Sequence, residues 1–259
     1  MRRAGPYFSD HQWPGERRRL TLLEQRLDPG TIRRISGIGI SSGWSCLEVG
    51  AGAGSIARWL AHQVGPTGRV VATDIDTRFF ADAAGINLEA WRHDISCDPL
   101  PYEEFDLVHV RWLLDLLTDR DALIKKLITA VKPGGWLLVE EPDQFPIAAG
   151  ALGTYRKLKQ ATAALLQSAG TDHEWARRLP AVLNAAGLVN ITAEANADIF
   201  QGGSPMAELR QLSLAQLREP LLQAGLITEA ELDSGAACLA QPSQWLMDLA
   251  SVAAWGQKR

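Results

Sequence analysis

One short run constrains the fold more than any other stretch: the apolar segment Cys46-Leu47-Glu48-Val49 leads directly into Gly50-Ala51-Gly52-Ala53-Gly54-Ser55. Three alternate glycines after a strand make a turn that can take positive φ and that a ligand can approach without meeting a Cβ. A second apolar run, Arg69-Val70-Val71-Ala72-Thr73-Asp74, ends on a carboxylate. In a parallel α/β sheet that is the position from which an acidic side chain grips a ribose. The two runs together predict a strand, turn, helix and strand unit that binds a nucleoside.

The rest of the chain agrees with such a unit. Upstream, Leu20, Leu23 and Leu27 recur at helical spacing among charged residues, which predicts an amphipathic helix ended by Asp28-Pro29-Gly30. From Trp44 onward, strands are expected at 44–49, 69–74, 87–92, 105–110 and 136–140. A helix from Ser55 carries Ile56, Trp59, Leu60 and Val64 on one face, and a second stripe, Leu123, Leu127, Ile128 and Val131, stops at Lys132-Pro133-Gly134-Gly135. Alternation of this kind implies a parallel sheet covered on both faces. After Asp143 the pattern turns helical, first through Tyr155, Leu158, Thr162, Leu165 and Leu166, then over 175–186. A strand over 191–199, a helical stretch over 205–237 and a closing strand over 249–255 follow. The expected organisation is an N-terminal helix or lid over 1–35, an α/β core over 36–143, helical insertions over 144–186 and 202–243, and returning core strands in 187–201 and 244–259.

Composition excludes several function classes. Hydrophobic residues make up 46% of 259, enough for a sizeable core, and several of the nine tryptophans must line it, so aromatic content alone proves no ligand pocket. A formal charge of -4 offers no basic field for nucleic acid, which favours a small-molecule partner. Three widely spaced cysteines, Cys46, Cys97 and Cys238, suggest neither a disulfide framework nor a metal site. No apolar run reaches the ~18 residues of a membrane span, and the N-terminus lacks the apolar core of a signal peptide, so a cytoplasmic protein without a membrane partner is expected. A homo-oligomer is compatible with all of this.

The glycine spacing argues against a dinucleotide, because a G-x-G-x-x-G fingerprint would need glycine where Ser55 stands. The E-x-G-x-G-x-G pattern beginning at Glu48 instead resembles the first motif of class I S-adenosylmethionine-dependent methyltransferases. Phe105-Asp106-Leu107-Val108-His109-Val110-Arg111 resembles their fourth-strand motif, and Val131-Lys132-Pro133-Gly134-Gly135-Trp136-Leu137 their link into the fifth strand. The resemblance covers 44–142, and its wording is most similar to bacterial small-molecule methyltransferases of natural-product pathways. It implies an α/β, Rossmann-like seven-stranded sheet with helices on both faces, helical caps and an antiparallel final pair of strands. It further implies S-adenosylmethionine as cofactor and methyl transfer to an O, N or C atom of a small organic acceptor in secondary metabolism. A cyclase-type enzyme or a binding protein on the same fold is the alternative.

The resemblance also assigns residues. Glu48 would set the methionine end of the cofactor, Gly50, Ala51 and Gly52 would border it, and Asp74, with Ile75 beside it, would take the ribose hydroxyls. Asp94 would accept from the adenine amino group, Ile95 would cover the adenine face, and Val110 and Arg111 would lie near the methionine moiety. Each has a plainer use: Asp74 or, better, Asp76 as N-cap of a helix starting at Thr77, Asp94 as a turn residue, Arg111 as a partner of Asp106 or Asp115. His109, in mid-strand, reads as a satisfied core residue. Tyr7, with His11 and Trp13, would be a lid over the cofactor or a frayed end. In Asp172-His173-Glu174-Trp175, His173 between two carboxylates is a candidate general base, and the same tetrapeptide is also an ordinary helix start. Glu140, Glu141 and Asp143 would contact the acceptor or lie in solvent.

Overall fold

A computed structural model describes residues 13–83, 85–146 and 153–259. In chain order the elements are α1 (Glu16–Ile38), β1 (Ser45–Val49), α2 (Ser55–Val64), β2 (Arg69–Asp74), β3 (Leu88–Arg92), β4 (Phe105–Arg111), α3 (Arg120–Ala130), β5 (Val131–Asp143), α4 (Gly153–Ser168) and α5 (Leu179–Ala185). They are followed by β6 (Val189–Asn196), β7 (Ile199–Gln201), α6 (Pro205–Gln223), α7 (Glu229–Ala240), β8 (Trp245–Met247) and β9 (Ala250–Gln257).

Seven strands form one sheet in the order β3-β2-β1-β4-β5-β9-β6. β1 to β5 are parallel, and β9 runs antiparallel between β5 and β6. This is the α/β architecture that the sequence motifs imply. The order reverses between β1 and β4, and in open α/β sheets a ligand binds outside the carboxyl ends of the strands at that point. Side chains alternate across the sheet. Cys46, Val70, Ala72 and Leu107 pack on one face against Ile35 of α1 and Ile56, Leu60 and Val64 of α2. Leu47, Val71 and Val108 pack on the other against Ile124 and Leu127 of α3 and Leu179 and Leu183 of α5. A third cluster joins Tyr155 and Leu158 of α4 to Leu217 and Leu221 of α6 and Leu232 and Leu239 of α7. Each buried valine, leucine or isoleucine among them contributes about 1.5–3 kcal/mol.

The structure departs from the sequence expectations where distant contacts override local signals. α1 does not end at Asp28-Pro29-Gly30 but continues to Ile38 and stops at Gly39, which takes the left-handed conformation. A proline inside a helix costs about 3 kcal/mol. Burial of Thr31 and Ile35, and ion pairs from Arg34 to Glu140 and Glu194, offset that cost. The helix therefore runs past the expected 1–35 boundary. Val131 leaves the helical stripe and opens β5 because it pairs with Phe105. The expected strand over 191–199 divides, with 189–196 in the main sheet and Ile199–Gln201 pairing with Trp245–Met247 in a separate two-stranded sheet. The stretch over 205–237 is two helices, parted by Gly225 at φ +64° and restarted by a capping box of Thr228 and Glu231. Residues 175–186 form a 3-10 turn (Ala176–Arg178) followed by α5. No helix begins at Thr77: Asp76 Oδ1 accepts from Arg78 N at 3.2 Å, so it closes a turn rather than capping a helix.

Candidate functional site

A cavity of about 280 Å³ opens at the carboxyl ends of β1, β2 and β4. The glycine turn forms its floor. Gly50 and Ala51 donate to Thr73 O at 2.8 and 2.9 Å, and Gly52 N donates to Asp74 Oδ2 at 2.9 Å. Asp76 N donates to Asp74 Oδ1 at 3.1 Å, so the carboxylate at the end of β2 also holds the turn after β1. The last two glycines of the turn serve different ends. A Cβ on Gly54 would stand 2.5 Å from Phe80 Cβ, whereas one on Gly52 would meet nothing nearer than Leu20 Cδ2 at 3.7 Å. Gly54 is required by packing; Gly52 keeps the cavity open. α2 then begins on a glycine with no side chain to cap it, and Glu24 of α1 supplies the cap, accepting from Ser55 N at 3.0 Å.

Beside the turn, Asp94 Oδ1 accepts from Ser96 N at 2.9 Å and Asp94 N donates to Asp98 Oδ2 at 2.8 Å. Lys126 Nζ donates to Ile95 O at 2.6 Å. Asp94 and Ile95 are thus presented by a braced loop, with Ile95 buried against the core.

Glu48 lines the cavity, yet its carboxylate is already engaged: His109 Nδ1 lies 2.5 Å from Glu48 Oε2, and His109 Nε2 lies 3.2 Å from Glu140 Oε1. Arg34 Nη1 donates to Glu140 Oε2 at 2.6 Å. Burial alone would lower the pKa of His109, but the Glu48 charge and hydrogen bonds with Glu140 and Glu48 outweigh it and raise it to about 9. Burial likewise works against the Glu140 charge, and His109 and Arg34 prevail, holding Glu140 below the usual carboxylate range. His109 is, as expected, a satisfied core residue.

Arg111 lines the cavity but pairs with neither Asp106 nor Asp115; it donates to Asp28 and Thr31 of α1, each at 2.8 Å. Once α1 continues past Pro29, its buried face brings those acceptors to the end of β4. Val110 points the opposite way by strand alternation and is buried in the core, outside the cavity wall. Gly50, Ala51, Gly52, Asp74, Ile75, Asp94 and Ile95 all line the cavity. Tyr7 and His11 lie outside the described residues. Glu140, Glu141 and Asp143 neither line the cavity nor lie in solvent. All three are buried, Glu141 accepting from backbone N–H of the turn after β4 and Asp143 from Arg177.

The far wall comes from other segments. His173 lies there with Thr171, Leu166 of α4, Ser213 and Leu217 of α6, and Leu249. Its sequence neighbours turn away: Asp172 pairs with Arg178, and Glu174 accepts from Gln144. Its charged neighbour in space is Asp115, with Oδ2 3.2 Å from His173 Nδ1, although the two atoms are not aligned as a hydrogen bond. Sequence reasoning gave Asp115 no role in the site, and it missed Trp112. Trp112 adopts φ +51°, uncommon for a bulky residue, and its buried Nε1 has no partner among the described residues. A strained aromatic at a cavity wall is a feature only coordinates reveal.

Comparisons with known proteins follow the same division. The profile of the methyltransferase domain family matches residues 46–135. The ubiquinone/menaquinone biosynthesis C-methyltransferase of Pseudomonas putida is 33% identical over 111 residues, covering 40% of this chain and 43% of the relative. That of Cupriavidus necator is 34% identical over 113 residues, covering 41% and 46%. The match thus spans less than half the length of these curated relatives. Among solved structures, phosphoethanolamine N-methyltransferase 2 of Haemonchus contortus, in complex with phosphomonomethylethanolamine and S-adenosylhomocysteine, superposes with a TM-score of 0.56 at 15% identity, over 94% of this chain and 53% of the other. A putative methyltransferase of Bacillus halodurans gives 0.57 at 16% identity, over 87% and 97%. These structures share the fold.

Proposed function

We propose that the chain is a class I S-adenosylmethionine-dependent methyltransferase that methylates a small organic acceptor bound in the cavity beside the cofactor, a reading supported by the methyltransferase-domain match over residues 46–135. The observation that carries the reading is the continuity of that cavity, whose walls run from Asp74 and Asp94, past the open side of Gly52, to His173 and Ser213. A nucleoside and an acceptor can therefore share one continuous cavity.

When bound, S-adenosylmethionine supplies a methyl carbon that bonds to the acceptor atom while its bond to the positively charged sulfur breaks and leaves the electron pair on sulfur. Asp74 would accept from the ribose hydroxyls, a charge-assisted contact, while Asp94 and the backbone of Ile95 would face the adenine. Glu48 and Arg111 would border the methionine end. The remaining task of the protein is orientation and exclusion of water, which can be worth about 7–11 kcal/mol. At the far end Leu166, Leu217, Leu249 and Trp112 suit an apolar acceptor. Biosynthesis of a small molecule in the cytoplasm, secondary metabolism included, fits that wall and the charge of -4. Methylation of a quinone-like ring carbon is a second reading, favoured by the names of the relatives at 33–34% identity.

Calorimetric titration with S-adenosylmethionine and S-adenosylhomocysteine tests the cofactor, with one site expected for each. An acceptor panel scored by release of S-adenosylhomocysteine then tests the transfer. Absence of binding overturns the proposal; binding without transfer to any acceptor favours a non-methylating, cyclase-type use of the same pocket.

A further inference from the structure

We propose that Asp115 and Glu141 form a buried carboxyl pair that positions His173 to accept the proton that the acceptor molecule gives up. The identity of that acceptor rests on the methyltransferase reading; the geometry does not. The three residues come from the turn after β4, the end of β5 and the loop between α4 and α5, and Arg120 ties the first of these to the last, donating to Asp115 O and Gly170 O at 2.7 Å each.

The contrast with His109 shows why His173 is more than a packed side chain. His109 has both ring nitrogens engaged by carboxylates. His173 buries Nδ1 beside Asp115, while Nε2, which makes no hydrogen bond among the described residues, is the nitrogen left open on a side chain 9% exposed at the cavity wall. Asp115 is 2% exposed, so its carboxylate faces His173 with little water to screen it. Behind it, Glu141 accepts from Leu114 N at 2.9 Å and from Leu113 N and Asp115 N at 3.3 Å each. Burial and the neighbouring Asp115 push the Glu141 pKa well above the ordinary carboxylate range, overriding those backbone N–H groups. That shift favours the protonated form of Glu141 behind the Asp115 carboxyl group. Of the other charged groups nearby, Asp143 pairs with Arg177 and Asp172 with Arg178, while the Arg120 guanidinium donates to the Asp115 and Gly170 carbonyls.

A carboxylate beside Nδ1 favours the tautomer protonated there and leaves the Nε2 lone pair toward the cavity, the same division of labour as in the histidine and aspartate of a hydrolase triad. As the acceptor atom forms its new bond, its proton passes to Nε2, the imidazolium is stabilised by Asp115, and the proton leaves to solvent afterwards. This selects acceptors whose nucleophile carries a removable proton: a hydroxyl, an amine or an enol.

The test is the tautomer of His173 in the full chain labelled with 15N-histidine, read from two-bond 1H–15N correlations at a pH where the ring is neutral, with His173→Ala assigning the signal. The expected wild-type pattern is Nδ1–H with an unprotonated Nε2. Asp115→Asn should lose that preference, and Glu141→Gln should keep it, since the amide supplies an N–H where the neutral acid has its O–H. An Nε2–H tautomer in the wild-type protein overturns the proposal without any variant, and so does an unchanged pattern in a folded Asp115→Asn protein. Calorimetry with S-adenosylhomocysteine on the same samples keeps the two readings apart: absent binding with the expected tautomer sinks the cofactor reading alone, and normal binding with the wrong tautomer sinks this one alone.

Discussion

The two walls of the cavity are built in opposite ways. The wall that faces Asp74 is assembled from consecutive strand ends, and its parts brace one another through the backbone: the glycine turn bonds to Thr73 O and the Asp74 carboxylate, and the Asp94 loop closes on Asp98. The wall that faces His173 is gathered from α1, the turn after β4, the α4–α5 loop and α6, and it is joined by side chains. Backbone bracing makes a rigid site for a constant ligand. A wall of side chains from separate segments can change its acceptor without disturbing the sheet.

The largest effect expected from this difference comes at Gly52. Gly52→Val should abolish S-adenosylhomocysteine binding in calorimetry, because its side chain enters open cavity space, while the fold loses only the ~1–2 kcal/mol of a left-handed non-glycine residue. Gly54→Val should instead lower the melting temperature, since its Cβ collides with Phe80. If both variants behave alike, the turn is uniform and the comparison breaks.

On the opposite wall, His173→Ala should cut turnover by about 10² to 10⁴ with cofactor affinity unchanged. A loss below tenfold would mean that orientation alone carries the reaction. Returning to the first wall, Asp74→Ala should weaken binding by about 1–3 kcal/mol, through the lost ribose acceptor and a turn released at Gly52 N. Unchanged affinity in the folded variant would remove the ribose assignment.

A last effect lies beneath both walls. His109 has a folded pKa of about 9 against an ordinary 6.5. A pKa raised by folding gives stability that is fully present below about pH 6.5 and is lost as pH rises through about 9. Denaturant unfolding across that window should show the decline, and His109→Asn should flatten it. A wild-type protein equally stable at both ends would show that His109 is neutral between its glutamates.

Much of the wall around Asp74 was legible because its signals are local. Gly50, Gly52, Asp74 and Asp94 sit at strand ends, and alternation within a strand plus a turn of glycines specify those positions over a few residues. Val110 reaches the same strand end with its side chain turned into the core, so only its backbone is presented there. The flanking carboxylates of His173 misled because adjacency along a loop says little about direction, and Asp172 and Glu174 found other partners.

What the sequence determined by itself is therefore the parallel core, the glycine turn and the carboxylates at its rim, all consequences of backbone preference and of hydrophobic period over short spans. Only the tertiary structure decided that α1 runs through Pro29 to bring Asp28 and Thr31 to Arg111, that Glu48 and Glu140 enclose His109, and that Asp115 and Glu141 stand behind His173. Each depends on burial shared by segments far apart in the chain, and the energy of removing a charge from water is set by what surrounds it in space, not by its neighbours in sequence.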